Sequence, residues 1–398
     1  MKGNEIASRL PAKHGSAREE MILDFVRQGH VVVRWTPVSL FRDGKKYTFY
    51  VTAEPLMLGE TWEDGFYPGM SAITMQKIAD LFNSSLLTPK LVDEIWNDAD
   101  FRIDPIISFP GIQAAGLPKS GTMVDIATMV IHSQLVKKRI DDARKKAGKF
   151  PPLIANIGKY WVVNSQTSQR QKSRENKNAD AGINYGWHRA AKGVSGRTAT
   201  GQPNTDIWQP PGYEHPLSHS DYSQLCMLVS RAVRVCEPAA LSGLGADLFY
   251  KCKDGKKCKV KGLPGRTRCM DIYDLAQDKT LAKLVSHEGT INMRIPSVPW
   301  EKPSSCPLID LAEGRTEEGI AGVDGPLTPY AMMGVAGFRS FGEEDLCTKP
   351  PPAPTTIGKG NPSLVTAPAA GDIKRYAVYG AIGLAGAAAL YLALQPRS

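Results

Sequence analysis

The chain has 398 residues, of which 42% are hydrophobic and 22% are charged. This composition excludes a chain that is disordered throughout, because a protein of this size can bury enough apolar surface to fold. The net charge of +9 favours an anionic partner such as membrane lipid, a cell-wall polymer or nucleic acid.

The first 150 residues carry mainly helical signals. The first 17 have no apolar segment of the kind that a cleavable signal peptide needs, and they are predicted to be a flexible leader. A helix and a β-hairpin around an Asp-Gly turn follow, and then three helices, with Thr74 and Thr88-Pro89 as capping signals for two of them. The predicted bounds are 17–28 for the first helix, 31–35 and 45–53 for the strands, and 74–82, 88–99 and 122–147 for the later helices.

From residue 152 onward, short apolar runs between Gly, Pro and Asn predict a β-rich region. Residues 157–163 and 183–188 are predicted strands, and residues 165–181 a long exposed loop between them. Alternation in the second strand predicts that Tyr185 and His188 point to opposite faces. An apolar helix is predicted to begin at Asp221 or Ser223 and to run through residue 233.

The last part of the chain predicts a membrane anchor. Residues 376–394 carry no charge and, at about 1.5 Å per residue, are long enough to span a bilayer as a helix. Small residues four apart, such as Gly383 and Ala387, would allow a homodimer through this helix. The excess of Lys and Arg before the segment predicts that the large domain stays on the cytoplasmic side. The predicted organisation is a leader (1–17), an α+β body (18–345), a proline-rich linker (346–372) and a transmembrane anchor (373–395).

A basic run lies in the second half of the body. Residues 251–268 contain eight Lys or Arg and one acidic residue, which is typical either of a solvated loop or of a contact with a membrane surface or polyanion. All seven cysteines follow residue 225. Cys252 and Cys258 flank an Asp-Gly turn and could form a disulfide across a hairpin, or bind zinc together with Cys269.

One short segment concentrates groups that can carry chemistry. Residues 214–224 contain two histidines, two carboxylates, a tyrosine and several hydroxyls. In a hydrolytic interpretation, His188 or His219 is the general base, Asp221 orients it, and Ser223 or a water attacks the substrate. Tyr222 and Lys159 would stabilise the developing negative charge. The predicted catalytic residues are His188, His219, Asp221, Ser223, Tyr222 and Lys159.

Two other interpretations of this segment remain open. His215 and His219 lie four apart and could bind a metal with His188, Asp221 or Glu214. In a structural interpretation, His219 and Asp221 cap a helix, and the aromatic residues belong to the core. We assign no cofactor and no resident metal from the sequence.

The same motifs resemble an uncharacterised family of bacterial and phage proteins. The resemblance is carried by YGWH at 185–188, Trp-Gln-Pro at 208–210 and HSDYSQ at 219–224, with further similar pieces at 87–92, 228–231 and 284–289. It implies one evolutionary unit over about residues 20–295 and no activity. Residues 221–225 are also faintly similar to the D-C-S-G-L motif of NlpC/P60 cell-wall peptidases, but Tyr222 stands where their nucleophilic cysteine would be.

The sequence thus predicts an α+β protein with a helical N-terminal part packed on a mixed β-sheet core and a single C-terminal transmembrane helix. The leading functional prediction is a membrane-anchored hydrolase that acts on a polymer such as cell wall. The alternative is a non-enzymatic binding or structural protein of a virion or cell envelope.

Overall fold

A computed structural model describes most of the chain up to Trp300. The described residues are 1–106, 108–109, 112–113, 117, 122–147, 153–190, 205–237, 249–251, 257–259 and 266–300, and all of them belong to one unit of the chain, Met1–Pro350. They combine helices with mainly antiparallel sheets, so the predicted α+β class is confirmed.

Seven α-helices and sixteen strands lie in the described residues. The helices are α1 (Gly3–Arg9), α2 (Ser16–Arg27), α3 (Ala72–Leu81), α4 (Pro89–Asp98), α5 (Ile126–Ala147), α6 (Ser165–Ser168) and α7 (Ile272–Gln277), and a 3₁₀ helix covers Leu281–Leu284. The strands are β1 (Val31–Val32), β2 (Trp35–Arg42), β3 (Lys45–Thr52), β4 (Met57–Leu58), β5 (Ser84–Leu86), β6 (Phe101–Arg102), β7 (Ser108–Phe109), β8 (Ile112–Gln113), β9 (Ile154–Ala155), β10 (Lys159–Val162), β11 (Ile183–Ala190), β12 (Thr205–Gly212), β13 (Leu228–Glu237), β14 (Phe249–Lys251), β15 (Lys257–Lys259) and β16 (Arg266–Asp271).

The largest sheet has the strand order β16-β13-β3-β2, and β5 also pairs with β13. Its β2-β3 hairpin confirms an early hairpin at the Asp-Gly turn, and the register runs from Trp35↔Thr52 to Arg42↔Lys45. Its first strand is not the predicted 31–35, because residues 31–32 form β1, which pairs with β4. The connecting residues Asp43 and Gly44 both have positive φ (49° and 75°). Such angles match the twist of the flanking strands, and Asp-Gly is a favoured pair for them.

The predicted helix after Asp221 is wrong, because β13 lies there. This strand pairs with β3, β5 and β16, and Leu228, Val229 and Val233 are fully buried. A strand covered on both faces is apolar without alternation, so its sequence cannot be distinguished from a buried helix by periodicity alone. The β-branched valines were the signal in favour of a strand.

A second sheet has the order β10-β11-β12 and contributes residues to both buried polar clusters described below. β10 and β11 confirm the two strands predicted on either side of the polar segment 165–181. Lys159 pairs with Gly186 in the antiparallel register.

An irregularity interrupts β11 between Asn184 and Gly186. Gly186 has φ 140° and Trp187 has φ 55°. The positive φ of Trp187 costs a bulky residue about 1–3 kcal/mol. The bulge breaks the period of two and turns His188 to the same side as Tyr185. The prediction that these two side chains point to opposite faces is therefore wrong.

Most of the predicted helices are confirmed, with small shifts at their ends. α2, α3, α4 and α5 correspond to the four predicted segments. Thr88 caps α4 by accepting a hydrogen bond from the Leu91 amide, with Pro89 in the first turn. α3 begins earlier than expected, because its cap is Ser71, whose hydroxyl accepts from the amide of Thr74.

The N-terminal segment differs from the flexible leader that was expected. It forms α1, and Ile6 and Leu10 are buried in the main hydrophobic core. The Gly3 amide also donates to the Asp64 carboxylate at 3.2 Å. Apolar residues in a short segment can dock on a core even where the segment has no strong helical pattern of its own.

Several predictions for the C-terminal half lie wholly or partly outside the described residues. None of the described helices is both long and apolar enough to cross a membrane, and the linker (346–372) and anchor (373–395) are not among the described residues. The backbone hairpin β14-β15 agrees with the predicted turn between Cys252 and Cys258, but Cys252 itself is not described. Of the described cysteines, Cys226 is a buried thiol and Cys236 is disulfide-bonded.

Candidate functional site

The six residues predicted to be catalytic do not form one site. His188 belongs to a cluster around Asp93, while Lys159, Asp221 and Ser223 form a second cluster. His219 lies at the edge of the second cluster. Tyr222 belongs to the core, because its hydroxyl donates to the Ile106 carbonyl at 3.2 Å and its side chain is buried.

The first cluster is built on the fully buried carboxylate of Asp93 in α4. Its Oδ1 accepts hydrogen bonds from the Tyr185 hydroxyl (2.7 Å) and from His188 Nε2 (2.8 Å). Its Oδ2 accepts from His287 Nε2 at 3.0 Å. One carboxylate thus holds two imidazoles and a phenol, and each imidazole donates through Nε2–H, because an ionised carboxylate can only accept.

Three elements bring these groups together. Helix α4 starts at the Thr88 cap, and the Thr88 hydroxyl also donates to the Val285 carbonyl. This contact holds the segment that carries His287 against the start of α4. The bulge in β11 turns His188 toward the same helix, and Trp96 stacks on its ring with the ring centres 5.4 Å apart.

The ionised form of Asp93 is favoured although the residue is buried. Burial alone would raise the pKa of this carboxyl, but the hydrogen bonds from His188 and His287 outweigh it and hold the pKa below its usual value. Tyr185 and His188 are buried, whereas the side chain of His287 is 18% exposed. His287 is thus the member of this cluster through which a proton could be exchanged with a bound molecule.

The second cluster is a closed ion pair between Lys159 and Asp221. Lys159 Nζ lies 2.9 Å from Asp221 Oδ2, and both side chains are more than 90% buried. Asp221 Oδ1 accepts from the Ser223 amide (2.8 Å) and from the Ser223 hydroxyl (2.7 Å). Because a hydroxyl has one proton to donate, Ser223 does not donate to a histidine in this arrangement.

The carboxyl of Asp221 is held in its ionised form. Burial raises its pKa, but the Lys159 ammonium and the hydrogen bonds from Ser223 lower it more strongly, to about 2. Lys159 Nζ also lies over the Trp187 ring, 5.3 Å from its centre. This lysine therefore serves a buried ion pair and is not directed at an open site.

Close backbone packing fixes the segment that carries Asp221. The Lys159 amide donates to the Ser223 carbonyl at 2.9 Å, and the Leu225 amide donates to the Lys159 carbonyl at 3.1 Å. A Cβ atom at Gly158 would lie 2.5 Å from the Ser223 carbonyl oxygen. Only glycine allows this approach, so the local sequence Gly158-Lys159 positions the ion pair.

His219 and His215 form a partly exposed pair next to this cluster. Their rings are stacked at 3.9 Å with an interplanar angle of 7°. His219 Nε2 lies 4.0 Å from Asp221 Oδ2, too far for a hydrogen bond. Burial, together with the neighbouring His215, lowers the pKa of His219 to about 4, so its imidazole is neutral at pH 7. His215 Nδ1 lies 2.8 Å from Glu175 Oε1.

Two surface cavities lie in the described part of the chain, and the smaller one borders the turn between His215 and His219. The larger, of about 600 Å³, lies between α1 and α5, and the smaller, of about 290 Å³, is lined by Asp180, Leu217 and Val298 among others. None of the six predicted catalytic residues lines either cavity.

Sequence reasoning missed Asp93, His287 and Glu175 as members of polar clusters. For Asp93 a signal was present, because it lies three residues before Trp96 and so shares a face of α4 with an apolar side chain. A carboxylate on the buried face of an amphipathic helix needs a partner. For His287 and Glu175 the sequence carries no comparable signal.

Comparison with protein-family models, curated proteins and solved structures gives no match to this chain. The resemblance to a bacterial and phage family therefore rests on the short motifs alone.

Proposed function

We propose that the chain is a non-enzymatic binding or structural protein of a virion or cell envelope. The observation that supports this proposal is the closed state of the Lys159–Asp221–Ser223 cluster. Catalytic groups must reach a substrate, whereas these three side chains are buried and bonded to one another. Their role is to hold the beginning of β10, at Lys159, against the segment that precedes β13.

Membrane attachment is part of the same proposal. The uncharged tail at 376–394 would insert as one helix, and a second copy could pair with it through its small residues. The basic run at 251–268 would bind an anionic lipid or polymer surface. In this arrangement the α+β body, with its helical N-terminal part packed on the sheets, is presented at a membrane.

Deleting residues 373–398 is expected to release the body from membranes in a folded form. The deleted residues include the only uncharged stretch of spanning length in the sequence. Fractionation of cells that express the full and truncated chains would measure this. Retention of the truncated chain on membranes after a high-salt wash would show that another surface anchors it.

A second candidate is a hydrolase that uses a different base from the one predicted. It is favoured by the contact between Asp93 and His287, since a carboxylate that binds Nε2–H leaves Nδ1 of a neutral imidazole as a base. His287 is partly exposed. In this candidate, His287 would activate a water for attack on a polymer such as cell wall.

One assay separates these candidates. Release of dye from labelled peptidoglycan would be measured for the unmodified chain and for His219→Asn, Asp221→Asn, Ser223→Ala and His287→Asn, with thermal melting of each. We expect no release above buffer from any of them. Hydrolysis that is lost only in His287→Asn would favour the second candidate. Hydrolysis that is lost in His219→Asn and Ser223→Ala without a change in melting would restore the site predicted from the sequence.

A further inference from the structure

Two neighbouring segments hold a carboxylate and two imidazoles close together. The Arg174 amide donates to the Tyr213 carbonyl at 3.1 Å, and the Glu175 amide donates to the Glu214 carbonyl at 3.0 Å. The Gly182 amide donates to the His215 carbonyl, also at 3.1 Å. These backbone contacts place Glu175 beside His215.

A tight turn between His215 and His219 brings their two imidazoles together. The His219 amide donates to the Pro216 carbonyl at 3.0 Å, and the Leu217 amide donates to the Asp180 carbonyl at 3.0 Å. His215 and His219 therefore stand at the two ends of one short, backbone-bonded turn. Their side chains are 25% and 21% exposed, which leaves them accessible to an ion from solvent.

We propose that Glu175, His215 and His219 bind a divalent transition-metal ion of the Zn²⁺ class. One ligand atom from each residue lies within 4.8 Å of the others. In a tetrahedral site with bonds of about 2.0–2.2 Å, ligand atoms are about 3.4 Å apart. The two imidazole rings would rotate out of their stacked arrangement, with side-chain movements of about 1 Å, so that one nitrogen of each points at the ion. The partial exposure of the three side chains permits such movements.

The chemistry of the donors selects the class of metal. Two imidazoles and one carboxylate suit Zn²⁺ and its neighbours, whereas Mg²⁺ and Ca²⁺ need sites made mainly of oxygen ligands. Three protein ligands leave a fourth position for water or another molecule. Glu214 is the other carboxylate nearby. It forms an ion pair with Arg174, whose guanidinium also donates to the Tyr213 hydroxyl. Glu214 is therefore not one of the three proposed ligands.

The proposal does not depend on the function proposed above, because a structural or a catalytic metal would use the same three ligands. The three proposed ligands also differ from the metal ligands considered from the sequence. His188 is held by Asp93, and Asp221 is held by Lys159, so neither is available to this ion.

The test is a titration of the full chain in detergent with Co²⁺, followed by competition with Zn²⁺. The absorption of bound Co²⁺ distinguishes nitrogen and oxygen ligands from thiolates, which matters because the chain has seven cysteines. We expect one ion bound without thiolate absorption. The paired change His215→Asn and His219→Asn should weaken binding by about 100-fold or more, and Glu175→Gln by about 10-fold.

Glu214→Gln is the matched control, because Glu214 and Glu175 are about equally exposed, at 50% and 51%, and each contacts a basic or imidazole side chain. It should change the affinity by less than about twofold. Thermal melting of each variant without metal would show that it is folded. Equal affinity and stoichiometry in the unmodified chain and in the folded double variant would overturn the proposal, as would binding that shows only thiolate absorption.

Discussion

Replacing Asp93 by alanine is expected to lower the free energy of unfolding by about 3–5 kcal/mol. The substitution leaves the buried Tyr185 hydroxyl and His188 imidazole without their shared acceptor, and it also removes the partner of His287. Each unpaired buried donor costs about 1–3 kcal/mol. Urea unfolding of the unmodified and substituted chains would measure the loss.

Asp98→Ala is the matched control, because Asp98 is the last residue of the same helix and is exposed. It should change stability by no more than about 0.5 kcal/mol. Asp93→Asn should be intermediate, since an amide oxygen can keep some of the hydrogen bonds. A loss in Asp93→Ala no larger than that in Asp98→Ala would contradict the proposed role of this carboxylate.

Lowering the pH should remove the stabilisation that the Asp93 carboxylate provides. The pKa of Asp93 is lowered in the folded chain, so its stabilisation is present above the unfolded pKa of about 3.9. It is lost as the pH falls through the lower, folded pKa. The difference in stability between the unmodified chain and Asp93→Asn should therefore shrink below about pH 4.

The second large effect is expected at the ion pair of Lys159 and Asp221. Lys159→Met leaves a buried carboxylate without its cation, and Asp221→Asn leaves a buried ammonium without its anion, so each should cost about 3–5 kcal/mol. The double variant removes both charges. It should cost less than the sum of the two single changes, with a coupling energy of about 0.5–3 kcal/mol.

A double-mutant cycle measured by urea unfolding would give this coupling. The pKa of Asp221 is lowered to about 2, so its stabilisation is present above about pH 4 and is lost as the pH falls toward 2. Additive costs for Lys159→Met and Asp221→Asn would mean that the two charges do not stabilise each other. Such a result would contradict the structural role proposed for the Lys159–Asp221–Ser223 cluster.

Local signals predicted much of the fold. The Asp43-Gly44 turn and the Thr88-Pro89 cap act through the backbone conformation of a few neighbouring residues, and both elements form as expected. β13 could not be predicted in the same way, because its apolar pattern comes from sheet neighbours on both sides that lie far away in the chain. Tertiary burial decided its structure, and periodicity did not.

The candidate site was harder to predict for a related reason. The hydrolytic interpretation combined His188 with Asp221 because both are titratable and because the predicted strand and helix start that carry them were expected to lie together. A single backbone irregularity at Gly186 and Trp187 decides instead which way His188 points. Such a bulge is not visible in the pattern of apolar residues, although an isolated glycine in a strand is a weak sign of one.

The contacts of Asp93 also bear on how the chain folds. Its three partners are 92, 95 and 194 positions away in the sequence. Contacts over such separations require large loops to close first, so they form slowly and late. Until β11 and the segment after the 3₁₀ helix are both in place, α4 carries a charged side chain on its apolar face. Docking of α4 is thus coupled to the folding of the segment that carries His287. A nascent chain that ends before His287 lacks one of the groups that make the burial of Asp93 favourable.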